Sequence, residues 1–187
     1  MIMAKQFFII VDGPMGSGKT TAATLLLGKL KRTAHFSLDK IKWAISDFKR
    51  SKRDNAIAAR VEEVMADEYL KNGINVLIDQ NFVDGKYIEP FKKIAKKHRA
   101  QIFLYQLEAS RVVLLERLAK RPRSVLARKP MPKSRTLMNL RKHAKNKYAG
   151  SDIKIIDSHS QSPEKIAEQI IGDLKIAGFR KYIIQRK

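Results

Sequence analysis

Gly13-Pro14-Met15-Gly16-Ser17-Gly18-Lys19-Thr20 fits the pattern G-x-x-x-x-G-K-[ST] at every fixed position. The pattern serves to hold the phosphates of a nucleoside triphosphate. Its glycines let consecutive backbone N–H groups turn inward as a concave anion nest, and the helix that follows adds the partial positive charge of its N-terminus. Lys19 is placed to reach the β- and γ-phosphates, and the Thr20 hydroxyl to ligate the Mg²⁺ that bridges them. ATP and Mg²⁺ are the expected cofactors.

Further candidates follow from where the acids fall. In an open parallel sheet, ligands sit beyond the carboxyl ends of the strands. Asp12, Asp39, Asp79 and Asp157 each stand at or just after a predicted strand. Asp79 closes Val76-Leu77-Ile78, the form of a Walker B element whose acid helps hold Mg²⁺ or its coordinated water. Capping a loop or helix is the other use of such an acid. Asn81, just beyond, suits substrate binding or the shaping of a turn. Asp39 lies roughly twenty residues past the glycine loop, at a strand end facing the γ-phosphate. A carboxylate there can accept the proton of an attacking hydroxyl, or it can cap the helix that begins near Lys40. Both uses fit the local sequence.

Arg117 and Arg121 are four apart and share a helix face, while Arg121 and Arg123 flank Pro122. Guanidinium groups delivered by a closing lid would stabilise charge on a transferring phosphoryl group. A solvated helix end is the plainer use. His35, His98, His143 and His159 show no metal-ligand spacing, and no role is assigned to them.

These residues need a scaffold, and the apolar pattern supplies one. Phe7-Phe8-Ile9-Ile10-Val11 is a continuous run, as expected of a strand buried on both faces. Ala22, Ala23, Leu25, Leu26, Leu27 and Leu30 make the helix after the glycine loop, so strand, loop and helix follow in the order a P-loop requires. Thr33 to Phe36, Ile74 to Ile78, Ile102 to Tyr105 and Ile153 to Ile156 read as four more strands. Between them, Ile57, Val61, Val64 and Met65 predict a long helix stopped at Asn72-Gly73; Ile88, Phe91, Ile94 and Ala95 predict another; Val112 to Leu118 a third. Ser162-Pro163-Glu164 starts the last helix with a hydroxyl cap and a first-turn proline, and Gly178 ends it. Pro122, Pro130 and Pro132 mark a basic loop or lid, followed by a basic helix from Leu137 to Lys147. The expected fold is a single 1–187 domain, a three-layer α/β P-loop NTPase of nucleoside-kinase-like type. It has about five parallel strands, helices on both faces and a basic lid insertion at about 121–150.

Composition bounds the partners. The chain has 187 residues, 44% hydrophobic and 30% charged, with no apolar run long enough to span a bilayer and no cysteine. A cytoplasmic protein without signal peptide or membrane contact is the simplest reading. Lys and Arg number 39 against 18 acids, a formal charge of +21. From Arg117 to Ser151 there are twelve Lys or Arg and no acid. Such a surface attracts polyanions, so RNA or DNA is one expected partner for 117–151 and solvated lysine-rich surface is the alternative.

G-P-M-G-S-G-K-T, S-L-D-K-I-K at 37–42, V-L-I-D-Q-N at 76–81 and E-R-L-A-K-R-P-R at 116–123 together resemble the small P-loop kinases. This group includes polynucleotide 5′-kinases, zeta-toxin-like kinases and chloramphenicol phosphotransferase-like enzymes. The resemblance implies that Asp39 activates the acceptor hydroxyl and that Arg117 and Arg121 are lid arginines. Polynucleotide kinases usually carry arginine three residues after that aspartate to grip the acceptor's 3′-phosphate. Here the residue is Lys42, which keeps the charge and loses bidentate geometry. The resulting expectation is an ATP-dependent kinase, preferentially of a polynucleotide 5′-hydroxyl. A small-molecule or nucleotide kinase and an RNA-associated NTPase switch are the alternatives. Lys42, Asn81 and Arg123 join Asp39 as expected acceptor ligands.

Overall fold

A computed structural model describes residues 5–49, 51–82, 85–120, 133–145 and 152–185. Five strands, β1 (Phe7–Asp12), β2 (Thr33–Phe36), β3 (Asn75–Gln80), β4 (Gln101–Glu108) and β5 (Ile153–Asp157), form one sheet in the order β2-β3-β1-β4-β5. Every pairing is parallel. The helices are α1 (Lys19–Leu27), α2 (Leu38–Ala44), α3 (Lys52–Lys71), α4 (Glu89–Lys97), α5 (Arg111–Lys120), α6 (Lys133–Lys145) and α7 (Pro163–Ile176).

The unbroken apolar run of β1 is explained by two cores. Side chains alternate across a strand, so Phe7, Ile9 and Val11 pack with Ala22, Ala23 and Leu26 of α1 and Ile166, Ile170 and Leu174 of α7. Phe8 and Ile10 enter the opposite core with Ala66 and Leu70 of α3 and Phe91 and Ala95 of α4. Each large side chain removed from water contributes about 1.5–3 kcal/mol. A single polar substitution in β1 would therefore damage whichever core it faced. The sheet's chain order reverses at β1, whose neighbours β3 and β4 lead away in opposite directions. The crevice at the carboxyl end of β1 is the binding position of such sheets, and Gly13 begins there.

Three details differ from the sequence pattern. The stripe Ile57, Val61, Val64 faces outward, with exposures of 46%, 41% and 50%. The buried face of α3 is Ala58, Glu62, Ala66 and Leu70. Ala58 and Ala66, small residues at i and i+8, let the helix lie close on the sheet, and that proximity outweighs the greater apolarity of the other stripe. Second, Asp39 does not cap its helix: Ser37 is at the N-cap of α2, and Asp39 lies in the first turn. Third, the basic helix begins at Lys133, not Leu137. The Ser162 cap is present, its hydroxyl accepting from Lys165 N at 3.4 Å. Residues 121–132 and 146–151 lie outside the described residues, and with them most of the expected lid, including Arg121 and Arg123. Among the described residues no helix is long and apolar enough to cross a membrane.

Candidate active site

The glycine loop has a backbone that side chains would obstruct. Gly13, Gly16 and Gly18 have φ of 148°, 85° and 91°. Gly18 stands at the N-cap of α1 in the left-handed region, and no side chain caps the helix. A helix start without a side-chain cap can offer first-turn N–H groups to an external anion. Lys19 Nζ donates to the Pro14 carbonyl at 2.8 Å, folded across the loop it encloses. Ser17 Oγ is buried with no hydrogen-bond partner among the described residues. An uncapped helix start, an ammonium over the loop and an unmatched buried hydroxyl fit a triphosphate. The glycines are not equivalent. A Cβ at Gly13 would lie 2.6 Å from the Leu107 carbonyl oxygen, whereas at Gly18 it would meet nothing within 4 Å. Gly18→Ala should therefore cost only the left-handed backbone strain, about 1–2 kcal/mol, and Gly13→Ala clearly more. Denaturant unfolding of the two variants checks the order.

Beside the loop, Thr20 Oγ1 donates to Asp79 Oδ2 at 2.6 Å. The opposite oxygen, Oδ1, lies 2.7 Å from His35 Nε2. A carboxylate only accepts, so Nε2–H is the donor. Parity explains the meeting. His35 pairs with Leu77 across β2 and β3, and Leu77 belongs to the α1 and α7 core. Asp79, two residues on, faces the same side and reaches α1. A hydroxyl and a carboxylate are hard oxygen donors suited to Mg²⁺. Among the described residues no group of three or more His, Cys, Asp or Glu could hold a metal. In phosphate sites Mg²⁺ takes one or two carboxylates and completes its shell with phosphate and water.

Gln80 faces the other way. Its amide, oriented by its partners, donates to both oxygens of Glu62 at 2.8 Å. Glu62 is 1% exposed, and burial pushes its carboxyl up to about 8. Lys42 opposes that rise, while the negative charges of Asp39 and Asp79 add to it. Lys42 Nζ is 3.9 Å from Asp39 Oδ1; its side chain is 18% exposed, that of Asp39 84%. Asn81 Oδ1 is buried with no hydrogen-bond partner among the described residues. The carboxyl ends of β2 and β3 with α2 and α3 thus carry Asp39, Lys42, Glu62, Gln80 and Asn81. Glu62 was not singled out in the sequence. Its signal is a lone acid within Ala58, Ala66 and Leu70 at four-residue spacing.

Two more residues set the frame. Asp12 Oδ1 accepts from Gly13 N at 2.6 Å and Phe82 N at 2.9 Å, tying the start of the glycine loop to the chain leaving β3. Arg117 NH2 donates to the Ser158 carbonyl at 2.7 Å, joining α5 to the loop after β5. The sequence assigned no role to His35 and marked Asp12 only as a strand-end acid.

Fold and site together define a P-loop nucleotide-binding protein with the kinase-like five-stranded parallel sheet. Residues 8–145 match the AAA domain family, and the chain belongs to it. No match is found among curated proteins. Solved structures share the fold. A sugar kinase from Janibacter sp. HTCC2649 is 20% identical with a TM-score of 0.67, covering 92% of this chain and 96% of that one. A gluconokinase from Sinorhizobium meliloti 1021 is 15% identical with a TM-score of 0.61, covering 92% and 97%. Shikimate kinase from Aquifex aeolicus vf5 is 15% identical with a TM-score of 0.57, covering 93% and 99%.

Proposed function

We propose that this protein is an ATP-dependent kinase that phosphorylates a hydroxyl of a small, polyhydroxylated acceptor. The observation that carries the acceptor class is the make-up of the group Asp39, Lys42, Glu62, Gln80 and Asn81. It offers acceptors and donors to several hydroxyls but a single ammonium, set against two acids. A sugar-like polyol satisfies such a group, whereas an acceptor bearing several phosphates finds only one ammonium to hold it, already beside Asp39. The sugar kinase and gluconokinase sharing the fold act on acceptors of this kind.

In this reading the loop amides, Ser17 and Lys19 hold the triphosphate, and Thr20 with Asp79 holds Mg²⁺. When bound, a metal held by Thr20 and Asp79 would supply positive charge to the phosphates. Asp39 accepts the proton as the acceptor oxygen forms its bond to the γ-phosphorus. The bond from that phosphorus to the β–γ bridging oxygen breaks, and ADP leaves with the electron pair. Arg117 and Arg121 are assigned to the charge on the transferring group, and Arg123 to the acceptor. Since Arg117 is engaged with Ser158, its assignment requires that bond to be exchanged or shared.

A second reading, transfer to a polynucleotide 5′-hydroxyl, is favoured by the twelve cations and no acid between Arg117 and Ser151. Incubation with γ-labelled ATP and a panel of hexoses, linear polyols, sugar acids, 5′-hydroxyl RNA and 5′-hydroxyl DNA separates the two. Label is expected on the small acceptors. Label on the nucleic acids alone would replace the first reading with the second.

A further inference from the structure

Asp79 is tied by both oxygens, and the two ties differ in kind. The Thr20 bond comes from within the nucleotide site. The His35 bond comes from β2, 44 residues earlier in the chain. Both side chains of this second bond are withdrawn from water, His35 being 2% and Asp79 4% exposed. At 2.6 and 2.7 Å the two bonds are short, as expected where one partner is a carboxylate.

The torsion that turns a carboxylate about its own axis is soft and roughly two-fold, so a free Asp79 would present either oxygen, at variable tilt. Donors on both oxygens fix its plane. That fixed plane holds Oδ2 where it receives the Thr20 proton, and the Thr20 lone pairs then turn away from Asp79 toward the loop. Without the imidazole, Oδ1 would be a buried acceptor lacking its donor. The carboxylate would then swing to recover one, taking Oδ2 from Thr20.

We propose that His35 is a positioning residue for metal binding: through Asp79 it sets the direction in which Thr20 offers its hydroxyl oxygen to Mg²⁺. This rests on the assignment of Thr20 and Asp79 to the metal. Ligand-orienting hydrogen bonds of this sort typically carry 10–100-fold of metal affinity.

The test reads nucleotide binding and needs no acceptor. The Kd of a fluorescent ADP analogue is measured in EDTA and in Mg²⁺ for the wild type, His35→Ala, His35→Gln and Asp79→Ala, and the gain conferred by Mg²⁺ is compared. His35→Ala is expected to reduce that gain about 10-fold with the Kd in EDTA unchanged. His35→Gln, whose amide nitrogen reaches close to the position of Nε2, is expected to restore most of it. A full Mg²⁺ gain in His35→Ala overturns the proposal, as does a loss in His35→Ala that appears equally in EDTA, or one that glutamine does not recover. If Asp79→Ala keeps the wild-type gain, or the wild type shows none, the metal assignment itself is lost and the role of His35 with it.

Discussion

Asp39→Ala is expected to lower phosphoryl transfer by about 10²–10⁴-fold, the usual contribution of a positioned general base. That is about 3–5 kcal/mol of transition-state stabilisation. Its carboxylate stands in the first turn of α2, 84% exposed, with Lys42 Nζ 3.9 Å away. An exposed ion pair contributes little to folding. Loss of activity should therefore come without loss of stability. Because Asp39 touches neither Lys19 nor Thr20 by any bond described, ADP affinity should be unchanged. Asp39→Asn makes the sharper comparison, since it keeps the shape and removes the capacity to accept a proton. The measurement is initial rate with the acceptor that labels in the panel, beside ADP affinity and thermal unfolding. Transfer at the wild-type rate in either variant would remove Asp39 from the chemistry.

Glu62→Gln is expected to stabilise the protein above neutral pH and to flatten its stability profile. In the folded chain burial holds the Glu62 proton up to about 8, against an ordinary 4.5. Between those values the folded state keeps a proton that the unfolded chain has released, so stability falls as pH rises. The contribution is fully present below the unfolded value and is lost as pH climbs through the folded one. Over the whole window the loss is on the order of 4 kcal/mol, a large share of the stability of a typical domain. Glutamine keeps the length and an acceptor for Gln80 while removing the charge that burial penalises. Denaturant unfolding at several pH values from 5 to 9 should show the two proteins close at the acid end and diverging upward in favour of the variant. Parallel profiles would mean that Glu62 ionises in the folded protein as it does in water. A chain that keeps a buried carboxyl at such a cost under its acceptor residues fits a binding role better than a stabilising one.

The strands were legible in the chain because each is an apolar run ended by a polar or turn residue, and all five appear where the pattern predicts them. α3 was legible as a helix, but its inward face was not. Apolarity marks Ile57, Val61 and Val64, while the sheet receives Ala58, Glu62, Ala66 and Leu70. Close approach of helix and sheet rewards small side chains, and residue-by-residue hydropathy does not register that. Misreading the face also hid Glu62. His35 was hidden for a different reason: nothing in Thr33 to Phe36 tells which face of β2 meets the loop until Leu77 is known to be its neighbour.

The donor side of the site could be read directly from residues 13–20, because a phosphate nest is made of contiguous backbone and needs only glycines at fixed spacing and a helix behind them. The proposed acceptor side and the ties on Asp79 needed the folded chain. Their partners come from β2, α2, α3 and β3, and adjacent residues of one strand serve opposite layers: Asp79 turns to Thr20 and His35, Gln80 to Glu62. Local spacing encodes a loop. The side of a sheet on which a residue falls depends on register and packing, which are set only when distant segments meet.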